Sequence, residues 1–249
     1  MKIIVVTPET VLEQTIFCSR NPKTPEFRAK KEWFDEQFRN GLKLCILRDE
    51  DDKALAYIEY IPAEFAWRPV SADGYLFIHC MYNYAKKDRE AGIASILIQH
   101  AIEDAKTQGK NGVVVFSSKG TWMADKRVFE KNGFQEISKL DRFELMVFRT
   151  NDSATDPSFI DWTDKAKEYD GWHLLYNDQC PWHYKSAGDL QKVAQENGIL
   201  LNVTRMTSHI DAQNAPSGFA GFNLIYNGKL LEDHYISGTR FKNILKKII

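Results

Sequence analysis

The stretch 88-DREAGIASILIQ-99 holds a glycine-containing turn and then a helical run. It reads either as an ordinary helix start or as a cradle for a phosphate, and its neighbours decide between the two. On the N-terminal side, 75-YLFIHCMY-82 reads as a strand with Gly74 as punctuation. On the C-terminal side, Ile93, Ile96, Leu97, Ala101 and Ala105 share a helical face that ends at Gly109. A strand feeding a tight loop into a helix start turns free backbone N–H groups, and the positive end of the helix dipole, toward one spot. Gly92 lets the backbone come close to a ligand where a Cβ would intrude. Ala94 and Ser95 keep the first turn open, and the Ser95 hydroxyl adds a donor.

Farther out, 42-LKLCILR-48 and 54-ALAYIEYI-61 are β-rich runs joined by the polar turn 49-DEDDK-53, an antiparallel hairpin. Before them, 27-FRAKKEWFDEQFRNG-41 has Phe34 and Phe38 at helical spacing and Gly41 as a stop. After the glycine loop and its helix come a buried strand at 113-VVVF-116 and a short helix within 122-WMADKRVFEKN-132. Gly133-Phe134 closes that helix, and strands follow at 135-QEISK-139 and 142-RFELMVF-148.

Neither the dinucleotide fingerprint G-x-G-x-x-G nor the P-loop pattern G-x-x-x-x-G-K-[ST] is present. The loop does match R/Q-x-x-G-x-G/A, and 128-VFEKNGF-134 follows about forty residues later with the right elements between. In this order the parts resemble the GCN5-related N-acetyltransferase (GNAT) family over roughly residues 1–148. That resemblance implies an α/β (α+β) acyl-CoA-binding fold with a mixed central sheet. It further implies acetyl-CoA as co-substrate, with the pantetheine arm along Cys80, Met81, Tyr82 and Asn83. The pyrophosphate falls to Arg89, Glu90, Ala91, Gly92, Ile93 and Ala94, with Ser95 and Phe129 beside the site.

In such folds a neutral amine attacks the thioester directly, the oxyanion takes a backbone N–H of the central strand, and no metal is required. A general base and a general acid assist. Candidate bases are Glu59, Glu64 and His79, and candidate acids are Tyr82 and Tyr84. The family's usual acid, the tyrosine of its "fYeklGF" signature, is Phe129 here, and phenylalanine has no proton to give. The aromatics Tyr57, Tyr60, Phe65 and Trp67 fall where the acceptor site is expected, which suggests a small-molecule amine. A second reading keeps acyl-CoA binding without turnover.

The run 149-RTNDSATDPS-158 loses nearly all apolar content and is the best linker candidate, giving a boundary at 149–160 and a second unit at 161–249. There, strand 172-WHLLY-176, loop 177-NDQCPWH-183, a helix from about Ser186 to Gly198, strand 199-ILLNV-203, an Asn227-Gly228 hairpin and a terminal helix follow in order. The terminal helix carries Phe241, Ile244, Leu245 and Ile248 as a stripe. This order resembles a smaller thioredoxin-like domain, and the two parts together resemble the bacterial YoaP-like group. Cys180 then stands at the active-site corner, with His183 where a second cysteine would complete C-x-x-C. A third reading makes Cys180 a redox or sensing thiolate whose pKa a protonated His183 would lower. Such a monothiol acts through mixed disulfides. Against it, 218-GFAG-221 stands where that fold wants a proline. As metal ligands, Cys180 and His183 supply only two, with His173 and His234 left to fold geometry, so no metal is expected.

Composition sets the outer limits. The 249 residues carry a net charge of −1 with 43% hydrophobic and 27% charged residues, a globular balance without a footprint for nucleic acid or an anionic membrane. Ile3 to Val6 is too short for a signal-peptide core, and no run reaches membrane-span length. Four scattered cysteines signal neither a disulfide framework nor a zinc knuckle, so a reducing cytoplasm is the expected location.

Overall fold

The computed structural model describes residues 1–15, 18, 19, 21–84 and 92–248. The chain divides into two compact units. The first comprises Met1–Ile16, Asp35–Ala66 and Val70–Phe159; the second comprises Phe17–Phe34, Trp67–Pro69 and Ile160–Ile249. Among the described residues, no helix is long and apolar enough to cross a membrane.

The elements of the first part of the chain are β1 (Lys2–Val6), α1 (Val11–Gln14), α2 (Pro25–Arg39), β2 (Lys43–Arg48), β3 (Ala54–Pro62), β4 (Val70–Ser71), β5 (Leu76–Asn83), α3 (Ile93–Thr107), β6 (Gly112–Ser117), α4 (Arg127–Glu130), β7 (Gln135–Leu140), β8 (Phe143–Arg149) and β9 (Ser158–Phe159). Seven strands form one mixed sheet in the order β1-β2-β3-β5-β6-β8-β7, in which only β5 and β6 run parallel. The mixed α/β class expected from the sequence is the class observed. Helix α3 packs on one face of the sheet. Ile93, Leu97, Ile98, Ala101, Ile102 and Ala105 close on Ile58, Tyr60, Ile78, Val113, Val115 and Met146.

Several local expectations need correction. Ile96, expected on the inward face of α3, is 37% exposed. At 3.6 residues per turn it lies roughly 150° from the centre of the buried stripe, and Ile98 and Ile102 take its place. Helix α4 is confined to four residues, because Asp125 Oδ1 accepts from the Arg127 backbone N–H at 3.0 Å and fixes the helix start there. The polar run after Arg149 is partly ordered structure. Thr150 N donates to Asn111 O at 2.9 Å, β9 pairs with β4, and the Phe159 ring lies 4.8 Å from that of Phe116.

The second unit contains β10 (Trp172–Tyr176), α5 (Pro181–Glu196), β11 (Leu201–Arg205), α6 (His209–Gln213), β12 (Phe222–Tyr226), β13 (Lys229–Glu232) and α7 (Gly238–Ile248). Its sheet runs β11-β10-β12-β13, with β10 and β11 parallel and the other neighbours antiparallel. Helix α5 begins five residues before the expected Ser186, because Pro181 is pre-set for the first helical position and Cys180 serves as N-cap. Strand β11 starts two residues late. Gly198, at φ +66°, ends α5, and Ile199 N donates back to Ala194 O at 2.9 Å, which ties Ile199 to the helix end. In α7, Phe241 and Leu245 are buried, while Ile248 is exposed.

Candidate functional site

Strands β5 and β6 are partners only over Leu76–Ile78 and Val113–Val115. Beyond that point β5 continues to Asn83 against β3, and β6 continues to Ser117 against β8. The two therefore diverge, and among the described residues His79 to Asn83 pair with β3 but not with β6. The cause lies in the register with β3. Glu59 opposes Cys80 and Tyr60 opposes Ile78, so His79 is an extra residue, a β-bulge at the point of divergence. A bulge bends and twists its strand and re-aims the side chains around it.

The bulge brings two of the sequence candidates together. Glu59, on β3, is 2% exposed, and His79 is also buried; His79 Nδ1 lies 3.8 Å from Glu59 Oε1. Cys80, opposite Glu59, is half-buried, with its Sγ 3.4 Å from the Tyr57 hydroxyl. Tyr82 is 47% exposed and its ring lies 5.1 Å from Tyr84 and 6.2 Å from Tyr57. Met81 turns to the other face and packs against the α3 core, and Asn83 is exposed. Glu64, the third candidate base, is engaged away from the bulge: its Oε1 accepts from Gly74 N at 2.8 Å and lies 3.7 Å from Lys110 Nζ. On the far side of the divergence, Ser117 Oγ donates to Glu144 Oε2 at 3.2 Å, and both are buried. No local pattern in the sequence signals this pair, since only the β6–β8 register joins residues 27 apart.

Arg89, Glu90 and Ala91 lie outside the described residues. Gly92 is the N-cap of α3 at φ +132°, a conformation that side-chain-bearing residues rarely adopt. Among the described residues, a Cβ built there meets nothing within 4 Å and no side-chain hydrogen bond caps the helix. Ile93 anchors the turn in the core, and Ala94 and Ser95 are half-buried. Ser95 Oγ accepts from Asn132 Nδ2 at 3.1 Å, which ties this turn to the N-G-F corner after α4. Phe129 is 1% exposed, its ring 5.6 Å from that of Phe134 within the α3 core. It is a packing residue in this structure rather than a surface offered to a ligand.

The C-terminal half of α3 is held by charge. Asp104 accepts from Lys43 Nζ at 2.7 Å, from the Tyr60 hydroxyl at 2.9 Å and from Gln108 Nε2 at 2.9 Å. Burial works to raise the Asp104 pKa, but these hydrogen bonds and the Lys43 charge outweigh it and hold the carboxyl below its ordinary value. Cys45, beside Tyr60, is a buried thiol pushed up to about 11, chiefly by burial.

In the second unit Cys180 is half-buried at the start of α5. His183 is fully buried, and its pKa falls to about 3. Loss of solvent contributes most, the Arg68 and Lys30 charges add to it, and the Asn177 carbonyl opposes them. The imidazole is thus uncharged at neutral pH, which corrects the expectation that a protonated His183 lowers the Cys180 pKa. Arg68, 112 residues before Cys180 and not singled out in the sequence, donates to Gln179 Oε1 at 2.6 Å. Gly221 stands before β12, and the His183 ring occupies the space its missing Cβ leaves.

The chain is similar along its full length to an N-acetyltransferase. It is 26% identical over 255 residues to the uncharacterized N-acetyltransferase YoaP of Bacillus subtilis (strain 168), covering 100% of both chains. No family model matches. Among solved structures, yncA of Salmonella typhimurium with its cofactor acetyl-CoA is 16% identical at a TM-score of 0.43, covering 62% of this chain and 96% of that one. A dodecameric spermidine N-acetyltransferase of Vibrio cholerae is 12% identical at a TM-score of 0.43, covering 59% and 92%.

Proposed function

We propose that this protein is a GNAT-type N-acetyltransferase that moves an acetyl group from acetyl-CoA to a small-molecule amine. The observation that carries this reading is the divergence of β5 from β6 at the His79 bulge, beside the buried Glu59–His79 pair. Full-length similarity to an N-acetyltransferase supports it, as does the acetyl-CoA held by yncA. In this reading the stretch of β5 beyond its pairing with β6, Cys80 to Asn83, takes the pantetheine arm. The pyrophosphate falls to the backbone amides of Arg89 to Ala94, of which Gly92 to Ala94 form the start of α3.

The chemistry follows from the positions of these groups. The acceptor amine must lose a proton to attack, and Glu59, through His79 or a water, is the buried carboxylate close enough to the bulge to take it. A β5 backbone N–H beside the bulge steadies the oxyanion as the C–N bond forms and the C–S bond breaks. Phe129 offers no acid, so Tyr82 or solvent protonates the departing thiolate. The Tyr57, Tyr82 and Tyr84 rings near the bulge favour a small acceptor over a peptide tail.

We also propose a domain division at 1–148, 149–160 and 161–249, with the last part thioredoxin-like. The β11-β10-β12-β13 order and the α5 crossover support it. Residue 221 is glycine where that fold wants proline, which weighs against a disulfide-exchange role.

Calorimetry with acetyl-CoA tests the main reading, followed by thiol release across amino acids, amines and peptides. Binding is expected in the wild type and abolished in Gly92→Glu, which sets a carboxylate beside the phosphates and strains the φ +132° turn; among the described residues its Cβ meets nothing within 4 Å. No heat and no thermal shift with acetyl-CoA would refute cofactor use. Modification of peptide lysines alone would refute the small-amine acceptor.

A further inference from the structure

Tyr57 on β3 opposes Tyr82 on β5, and Tyr84 follows just past the strand end, where its N–H donates to the Leu55 carbonyl at 2.8 Å. The three rings meet there. Their centroids are 6.2 Å apart for Tyr57–Tyr82, 6.1 Å for Tyr57–Tyr84 and 5.1 Å for Tyr82–Tyr84, with interplanar angles of 30°, 45° and 72°. Tyr57 is buried, Tyr84 is half-buried and Tyr82 is 47% exposed, so the group opens on the Tyr82 side. Aromatic faces attract cations within about 6 Å of the ring centroid. The point equidistant from the three centroids lies roughly 3.4 Å from each, so a cation seated up to about 5 Å above it keeps all three rings within that reach. The β2–β3 turn, 49-DEDDK-53, stands at the same end of the sheet and carries four carboxylates against one lysine, a balance that favours a cation.

Tyr57 and Glu59 alternate onto the same face of β3, roughly 7 Å apart along the strand. In the transferase reading, on which the following assignment rests, Glu59 takes the proton of the reacting amine. We propose that Tyr57, Tyr82 and Tyr84 form a cation subsite of the acceptor pocket, and that the acceptor is a small amine bearing a second, cationic nitrogen roughly 7 Å from the one acetylated. The two nitrogens of such a molecule are sorted by their surroundings. One stays charged over the rings, and the other gives its proton to Glu59 and takes the acetyl group from sulfur. A straight diamine of about four or five carbons spans the gap. Attraction to a ring face needs the ring and not the hydroxyl, so phenylalanine can replace tyrosine in this role and leucine cannot.

Choline and its neutral isostere, the alcohol in which tert-butyl replaces trimethylammonium, are the probes. Both are titrated by NMR, without cofactor, into full-length protein labelled at its tyrosine rings. Choline is expected to shift the Tyr57, Tyr82 and Tyr84 ring signals and to bind about tenfold tighter than the alcohol. Tyr82→Phe should keep that preference and Tyr82→Leu should lose it, and both variants should fold because the side chain is half-exposed. Equal affinity for the two probes, or a preference that survives Tyr82→Leu, overturns the subsite. With acetyl-CoA, a straight diamine of about four or five carbons should show a kcat/KM about tenfold above that of the monoamine of equal length, and equal values overturn the acceptor class. Subsite and transferase fail separately. A choline preference without acetyl-CoA binding keeps the subsite and removes the transferase, whereas turnover with equal rates for diamine and monoamine does the reverse.

Discussion

Replacing Asp104 gives the sharpest test of how helix α3 is held. The Tyr60 hydroxyl is inside the protein, with Asp104 Oδ2 as its acceptor at 2.9 Å and Cys45 Sγ as its donor at 3.8 Å. Asp104→Ala leaves that hydroxyl proton without an acceptor, a desolvation cost of about 1–3 kcal/mol. Loss of the Lys43 ion pair adds at most about 0.5–1 kcal/mol, because Lys43 is half-exposed and screened. Removing an anion from the C-terminal turn of a helix returns about 0.3–0.5 kcal/mol. The net expectation is a loss of about 2–3 kcal/mol. Tyr60→Phe removes donor and demand together, and Asp104 keeps Lys43 and Gln108, so its cost is about 1 kcal/mol. The double variant should be no worse than Asp104→Ala alone.

Cys45 supplies a local assay, since it is buried in the same network and a thiol reagent reaches it only when the first unit opens. At about 1.4 kcal/mol per tenfold, labelling under conditions of rapid reclosing should speed up roughly 30- to 100-fold in Asp104→Ala and about fivefold in Tyr60→Phe. The pH dependence carries a fixed sign. A carboxyl held below its unfolded value contributes stability that is complete above that value and lost as pH falls through the folded one. The gap between wild type and Asp104→Asn should therefore close in acid. If Tyr60→Phe proves more damaging than Asp104→Ala, or the double variant is additive, the reasoning about the orphaned hydroxyl fails.

Three further outcomes follow from the site and its frame. Glu59→Gln should lower kcat about 100-fold with acetyl-CoA affinity unchanged, and should flatten the acid limb of the pH–rate profile; an unchanged kcat removes Glu59 as base. Phe129→Tyr should cost about 1–2 kcal/mol in urea unfolding, because the new hydroxyl enters the α3 core, with no gain in acetyl transfer. A tenfold gain would show that position 129 faces the thioester sulfur. Gly112→Ala should yield insoluble protein or lose more than about 4 kcal/mol, since its Cβ would run into the Phe148 carbonyl at φ +146°; near-native unfolding would contradict the β6–β8 register.

The parts that were legible in the sequence are those whose signals are local. The β2–β3 hairpin, β5 and α3 each carry their periodicity and punctuation within a few residues, and they emerge within a residue or two of expectation. Boundaries moved where a single side chain or cap competed with propensity, as Asp125 does at α4 and Ile199 at the end of α5. The Glu59–His79 pairing was out of reach, because alternation along β5 says nothing about which β3 residue stands opposite. Arg68 was invisible for the same reason, its partner Gln179 being 111 residues away.

The His79 bulge joins the fold to the proposed chemistry. In a regular strand His79 and Cys80 would face opposite sides of the sheet. With one residue inserted, Cys80 stays opposite Glu59 while His79 also comes within 3.8 Å of it, so acid, imidazole and thiol gather at one place. The same insertion ends the pairing of β5 with β6, and so opens a peptide edge beside the groups that would move protons. Binding and proton transfer in this reading thus share one structural cause. Phe129 stands outside that coupling: it fills the core under α3, and the leaving thiolate must find its proton on the exposed side, where Tyr82 and solvent are. Turnover should therefore depend on the Tyr82 face far more than on α4.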